Sequence, residues 1–289
     1  MNGSQLPITL TGPPLTAVGV AVIRARETRR DDRLYADPYA DRFVAAAQQA
    51  YLDPSAPAEA AETWNTVLRL AEVMYETRTV GVRLADDGLL EAAACGRTQI
   101  VLLGAGLDTH AFRLAWPEPV RLFEIDLPQL FEFKEPLLRD AVTTCERHLI
   151  KADLGAEDWP EALLANGFDP AIRTHWVDHA LMTLPTSTAR AGVEAITRLS
   201  APSSQYGFPV MGSQSFNTTL NTVDGAAALY RSMPNVDRGL GDDARQWIES
   251  LGWSTSFTSF TELAARYPRD VGSDTGSGTV TATRLAAPA

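Results

Sequence analysis

The stretch Gln99–Leu127, QIVLLGAGLDTHAFRLAWPEPVRLFEIDL, constrains the fold more than any other part of the chain. It opens on an apolar run, Ile100 to Leu103, suited to a strand buried on both faces. Gly104-Ala105-Gly106 follows at once, and glycine is wanted where the backbone turns sharply beside a ligand. A second apolar run, Val120 to Ile125, contains Glu124 and stops before Asp126. Strand, glycine turn, short helix, strand and acid is the layout of a nucleotide-binding α/β half. The acid can accept both ribose hydroxyl protons, and Asp126 lies 20 residues beyond Gly106, matching the usual spacing of about 20.

The turn departs from the dinucleotide fingerprint. Thr109 stands where G-x-G-x-x-G wants its third glycine, and no G-K-[ST] phosphate loop is present. Both points weigh against a pyrophosphate. A ligand with a ribose and no phosphate fits better, which makes S-adenosylmethionine the expected cofactor. The plainer reading, that the glycines only close a tight strand-to-helix turn, stays open on these residues alone.

Composition narrows the partners. The 289 residues carry a net charge of −11. Nucleic acid and anionic membrane surfaces need a basic footprint, so neither is expected as partner. Cys95 and Cys145 are the only cysteines, too few for a disulfide scaffold or a cysteine-rich zinc site. His110, His148, His175 and His179 show no metal-ligand spacing, and no metal is expected. No basic leader with an apolar core and no apolar run of about 18 residues occurs. A cytoplasmic location is expected.

The first hundred residues read as helical. A loose arm over residues 1–14 leads to a helix from Thr16, and Asp37-Pro38 marks the start of another with Phe43, Val44 and Ala47 on its apolar side. A long helical stretch then runs from Trp64 to Ala94. Beyond Asp126, helices at 128–140, 156–166, 187–199 and 240–251 alternate with strands at 148–154, 173–181 and 205–211. Strands at 253–260 and 279–285 close the chain, the last showing the β-branched alternation TVTATRL. The expected organisation is a helical N-terminal cap over residues 1–95, then a Rossmann-like core over 96–289 with a mostly parallel sheet and helices on both faces. Ligands in such sheets bind at the carboxyl ends of the strands. Gly104, Asp126, Asp153 and the pair Asp178-His179 should therefore surround one site. On its own, Asp153 reads equally well as the cap of the helix that follows.

Three blocks resemble a known family: LGAGLDTHAFRL (Leu103–Leu114), FEIDLPQLFEFK (Phe123–Lys134) and TAVGVAVIRARETRRDDRLYADPYADRF (Thr16–Phe43). They look like the leucine carboxyl methyltransferase family, more closely its actinobacterial S-adenosylmethionine-dependent branch, over roughly residues 13–267. The resemblance implies a class I methyltransferase fold with a seven-stranded sheet, and S-adenosylmethionine as methyl donor. Carried over by position, Arg78 matches an arginine that binds the cofactor carboxylate, and Gly104 and Gly106 the turn beside its methionine part. Asp126 matches the ribose acid, with Glu124 as a second acid beside it, and Asp153 with Leu154 matches the adenine-edge pair. The fourth strand departs from the family. In WVDHALMTLP, Trp176 to Pro185, His179 replaces the glutamate expected at the cofactor amino group and Thr183 replaces a tyrosine. Pro209 falls in the fifth strand, where a central strand needs an N–H.

The expected activity is O-methylation of a carboxylate or hydroxyl on a small molecule, with a place in secondary-metabolite biosynthesis. A carboxylate is already ionised, whereas a hydroxyl needs a base. His179 is the candidate, oriented by Asp178. Tyr35, Tyr39, Tyr206, Phe208, Phe216 and Tyr230 are candidates for an aromatic acceptor pocket, with ordinary core packing as the alternative for each. The altered fourth strand motivates a second reading, a methyltransferase fold turned to cyclase, isomerase or lyase chemistry. A non-catalytic cofactor-binding module is the third.

Overall fold

A computed structural model of the chain describes residue 10, residues 13–210, residues 223, 224 and 226, and residues 237–272 and 276–286. Phe216 and Tyr230 lie outside the described residues. Four helices come first: α1 (Pro13–Thr28), α2 (Ala40–Tyr51), α3 (Ala60–Val73) and α4 (Tyr75–Ala94). Helix α1 starts at Pro13, earlier than expected, which suits proline's preset φ in a first turn. The turn before α2 is built by Asp37, whose Oδ1 accepts from the N–H groups of Tyr39 and Ala40.

The strands are β1 (Gln99–Leu103), β2 (Arg121–Asp126), β3 (Glu146–Lys151), β4 (Thr174–Asp178), β5 (Gln205–Val210), β6 (Trp253–Ser259) and β7 (Gly278–Arg284). They form one sheet in the order β3-β2-β1-β4-β5-β7-β6. The first five are parallel, and β7 runs antiparallel between β5 and β6. This is the class I methyltransferase sheet. The order reverses between β1 and β4, so their carboxyl ends border the switch point where such sheets bind ligands.

Short helices join the strands: α5 (His110–Arg113), α6 (Pro128–Leu137), α7 (Trp159–Ala165), α8 (Thr186–Arg198), α9 (Ala244–Ser250) and α10 (Phe260–Ala264). Alternation along the strands divides the core in two. Ile100, Leu102 and Leu122 face α1 to α6, and pack with Val18 of α1, Phe43 of α2, Trp64 of α3 and Leu89 of α4. Val101, Leu103, Phe123 and Trp176 face α7, α8 and α9. Among the described residues no helix is long and apolar enough to cross a membrane.

Pro209 fits for a simple reason. The β4–β5 ladder ends at the Val177–Gly207 pair, while β5 continues against β7 to Val210. Pro209 thus stands past the end of β4, where no strand on that side asks for its N–H.

Candidate active site

The glycine turn is fixed by the end of β2. The N–H groups of Gly104 and Ala105 both donate to Ile125 O at 3.0 Å. Gly104 has φ +78° and Gly106 φ +53°, a region that favours glycine. A Cβ on Gly104 would fall 2.5 Å from Ala180 Cβ, so the end of β4 needs glycine there as its neighbour. Gly106 N–H donates to Asp126 Oδ2 at 2.7 Å, and Leu127 N–H to Oδ1 at 2.7 Å.

Asp126 stands half-buried at the end of β2, past the Leu103–Ile125 pair that closes the β1 ladder. Burial pushes its pKa up, opposed by the two backbone N–H groups and by Lys134. A carboxylate offers about four acceptor sites, so two remain after the backbone bonds. That donor-free, acceptor-rich edge suits a pair of ribose hydroxyls. The residues present therefore fit an adenosyl cofactor.

Glu124 corrects the expectation of a second ribose acid. It is fully buried, and its carboxylate takes Lys134 Nζ at 2.6 Å and both Arg147 Nε and Nη2 at 2.8 Å. Two residues before Asp126, it pairs with Leu102 inside the β1–β2 ladder and cannot reach the strand end.

The pair Asp178-His179 parts at the end of β4. Asp178 is buried, accepting from Tyr206 Oη at 2.9 Å and from the N–H groups of Ala180 and Leu181. Burial pushes its pKa up to about 6, against these hydrogen bonds. It does not orient His179, which corrects that expectation: both its oxygens are engaged by these donors, and His179 lies in the bend just past the end of β4. His179 is exposed at the sheet edge, its N–H donating to Leu103 O at 2.9 Å. The charges nearest its ring are Asp108, which favours its protonated form, and His110 and Arg78, which disfavour it.

Arg78 lies near the start of α4, exposed, close enough for its charge to act on His179. Asp153 follows β3; its Oδ1 accepts from Gly155 N–H at 2.7 Å, closing a turn rather than capping α7, which starts only at Trp159. Leu154 is buried on the α7 side.

Among the described residues, the four expected aromatics Tyr35, Tyr39, Tyr206 and Phe208 do not gather in one place. Tyr206 and Phe208 are buried and stacked 5.1 Å apart in the core beside α8, on the face of Asp178. Tyr35 is 6% exposed with Arg113 5.7 Å from its ring, and burial raises its hydroxyl pKa. Tyr39 packs against Phe112 at 5.6 Å.

A buried polar network beside the glycine turn was not read from the sequence. His110 Nε2 lies 2.9 Å from Asp86 Oδ1, and its Nδ1 pairs with Asp108. Burial lowers the His110 pKa, but the two carboxylates outweigh it and raise the value overall. Arg113 grips Asp86 with two bonds of 2.6 and 2.7 Å. Arg24, Asp37 and Thr109 continue the network. One signal was present: Arg24 falls among the apolar positions Val18, Ala21 and Ala25 of α1, where a charge demands a buried partner.

Comparisons with known proteins bear on the family and the fold. Residues 17–196 match the leucine carboxyl methyltransferase family. A Streptomyces coelicolor protein, provisionally named an S-adenosyl-L-methionine-dependent methyltransferase, is 38% identical over 276 residues, covering 93% of each chain. A Parafrankia protein of the same provisional name is 45% identical over 270 residues, covering 89% of this chain and 83% of its own. The crystal structure of a provisionally titled methyltransferase from Thermobifida fusca superposes with a TM-score of 0.56 at 16% identity, over 82% of this chain and 93% of that one. At that identity the likeness speaks for the fold alone.

Proposed function

The chain belongs to the leucine carboxyl methyltransferase family, and from that premise we propose that it methylates a carboxylate oxygen of a small molecule. It is an S-adenosylmethionine-dependent methyltransferase. In our reading Arg78, Gly104, Gly106, Asp126, Asp153 and Leu154 hold the cofactor. When bound, the cofactor supplies an electrophilic methyl carbon on its sulfonium.

The observation that carries the carboxylate reading is the separation of Asp178 from His179. Asp178 is spent on Tyr206 and two backbone N–H groups. Among the described residues, the exposed His179 ring has no carboxylate hydrogen-bonded to it that would orient it as a base. A catalytic base is ordinarily oriented by such a third group, so a hydroxyl acceptor finds poor help here. A carboxylate needs no base. The side chains around it then have only to hold it in line and keep water out, and positioning of that kind is worth roughly 7–11 kcal/mol.

Cyclase, isomerase or lyase chemistry is not favoured. Its motive was the altered fourth strand, and the relatives matched over most of the chain are named as methyltransferases.

A methyl ester and a methyl ether differ in base lability. The protein is incubated with methyl-labelled S-adenosylmethionine and a panel of small carboxylic acids and phenols, then the products are treated with alkali. Label released as volatile methanol is the expected result. Label that enters phenols only, and resists alkali, would overturn the carboxylate reading.

A further inference from the structure

Thr109 occupies the position where a dinucleotide-binding turn carries its third glycine, and it is fully buried. Its hydroxyl donates to Asp37 Oδ2 at 2.8 Å. It accepts from Arg24 Nη1 at 3.2 Å and from Arg113 Nε at 3.1 Å. A hydroxyl has one proton to give and two lone pairs, so its capacity is used in full. Asp37, 1% exposed, also pairs with Arg24 at 2.9 Å. Arg24 in turn reaches Leu107 O with Nη2 at 2.6 Å.

These bonds join parts of the chain about as far apart in sequence as the cap is long. Arg24 belongs to α1 and Asp37 to the turn before α2. Leu107 and Thr109 belong to the loop that leaves the glycine turn. That loop begins at Gly106, whose N–H is fixed on Asp126, and Gly106 also lies against α1, where its added Cβ would come within 3.2 Å of Ala17 Cβ. Loop 106–109 is thus held at one end by the ribose acid and at the other by the N-terminal helices.

We propose that Thr109 and Asp37 are positioning residues for the cofactor, a clasp by which the N-terminal helices set the shape of the loop beside it. The inference rests on the cofactor site proposed above. Without the clasp the loop loses the anchor that keeps Gly106 and Asp126 in register. Coupling of this kind is reciprocal: if a docked α1 favours the cofactor, the cofactor must favour a docked α1.

The test measures the affinity of S-adenosylhomocysteine by calorimetry, and Tm without ligand, for the wild type and for Thr109→Val, Thr109→Ser and Asp37→Asn. Valine keeps the shape of threonine and removes the hydroxyl; serine keeps the hydroxyl. We expect Thr109→Val and Asp37→Asn to bind at least about tenfold more weakly, the scale of one charge-assisted hydrogen bond. Thr109→Ser should bind like the wild type. Hydrogen exchange over residues 24–37 should slow when the ligand binds the wild type. A Thr109→Val protein that melts earlier yet binds as the wild type does would overturn the proposal, as would a Thr109→Ser protein as weak as the valine variant. If the valine variant does not fold, Asp37→Asn decides alone by the same criterion. A folded wild type that binds no ligand would overturn the cofactor site itself, and the clasp with it.

Discussion

Glu124 and Asp126 stand two residues apart on one face of β2 and meet different fates. Glu124 sits inside the ladder opposite Leu102, enclosed with Lys134 and Arg147. Asp126 stands just past the last β1 pair, where β1 has already turned away at Gly104. Removing one member of a buried ion pair leaves its partner uncompensated and costs about 3–5 kcal/mol. Glu124→Gln should therefore lower Tm sharply and leave the affinity for S-adenosylhomocysteine intact once folded. An unchanged Tm with lost binding would return Glu124 to the ribose site. The sequence showed two acids but not where the ladder stops, and that is set by the length of a neighbouring strand. Asp178 and His179 do not act as a pair for a related reason: β4 ends at Asp178, and His179 lies in the bend beyond it. Tyr206, level with Trp176 in the register, follows the face of Asp178 and so belongs to the core.

At the scale of elements, strand identity was legible and strand ends were not. All seven strands overlap the stretches expected of them, β1 and β2 as apolar runs buried on both faces and β7 as a β-branched alternation. β3 spans Glu146–Lys151 rather than 148–154, since Asp153 closes a turn of its own. The long helical stretch from Trp64 breaks at Met74 into α3 and α4. β4 carries a histidine between two neighbours, His175, whose ring burial pushes its pKa down to about 4. The ordinary value is about 6.5. Below pH 6.5 the unfolded chain takes up a proton at this residue that the folded chain does not. The stability held by neutral His175 above that pH is therefore lost as pH falls from 6.5 to about 4, at no more than about 1.4 kcal/mol per pH unit. Melting followed from pH 7 to 4.5 should show a shallower acid loss for His175→Asn than for the wild type. Parallel curves would mean that His175 titrates alike in both states.

For the whole molecule, the N-terminal helices and one face of the sheet share a single core, with Val18, Phe43 and Trp64 packed against Ile100 and Leu102. The convergence of strand ends was legible early, because an alternating strand–helix pattern implies a parallel sheet and a ligand edge. The network of Arg24, Asp37, Asp86, Thr109, His110 and Arg113 was not, since its members come together only when helices distant in sequence dock on the glycine loop. The central claim is that the carboxyl edge around Gly104, Gly106 and Asp126 holds the adenosyl cofactor. Calorimetric titration of the wild type and Asp126→Asn with S-adenosylhomocysteine tests it most directly. Micromolar binding by the wild type, about −8 kcal/mol, should weaken by about 1.5–3 kcal/mol when the carboxylate becomes an amide. Equal binding by both proteins, or none by a folded wild type, would contradict it.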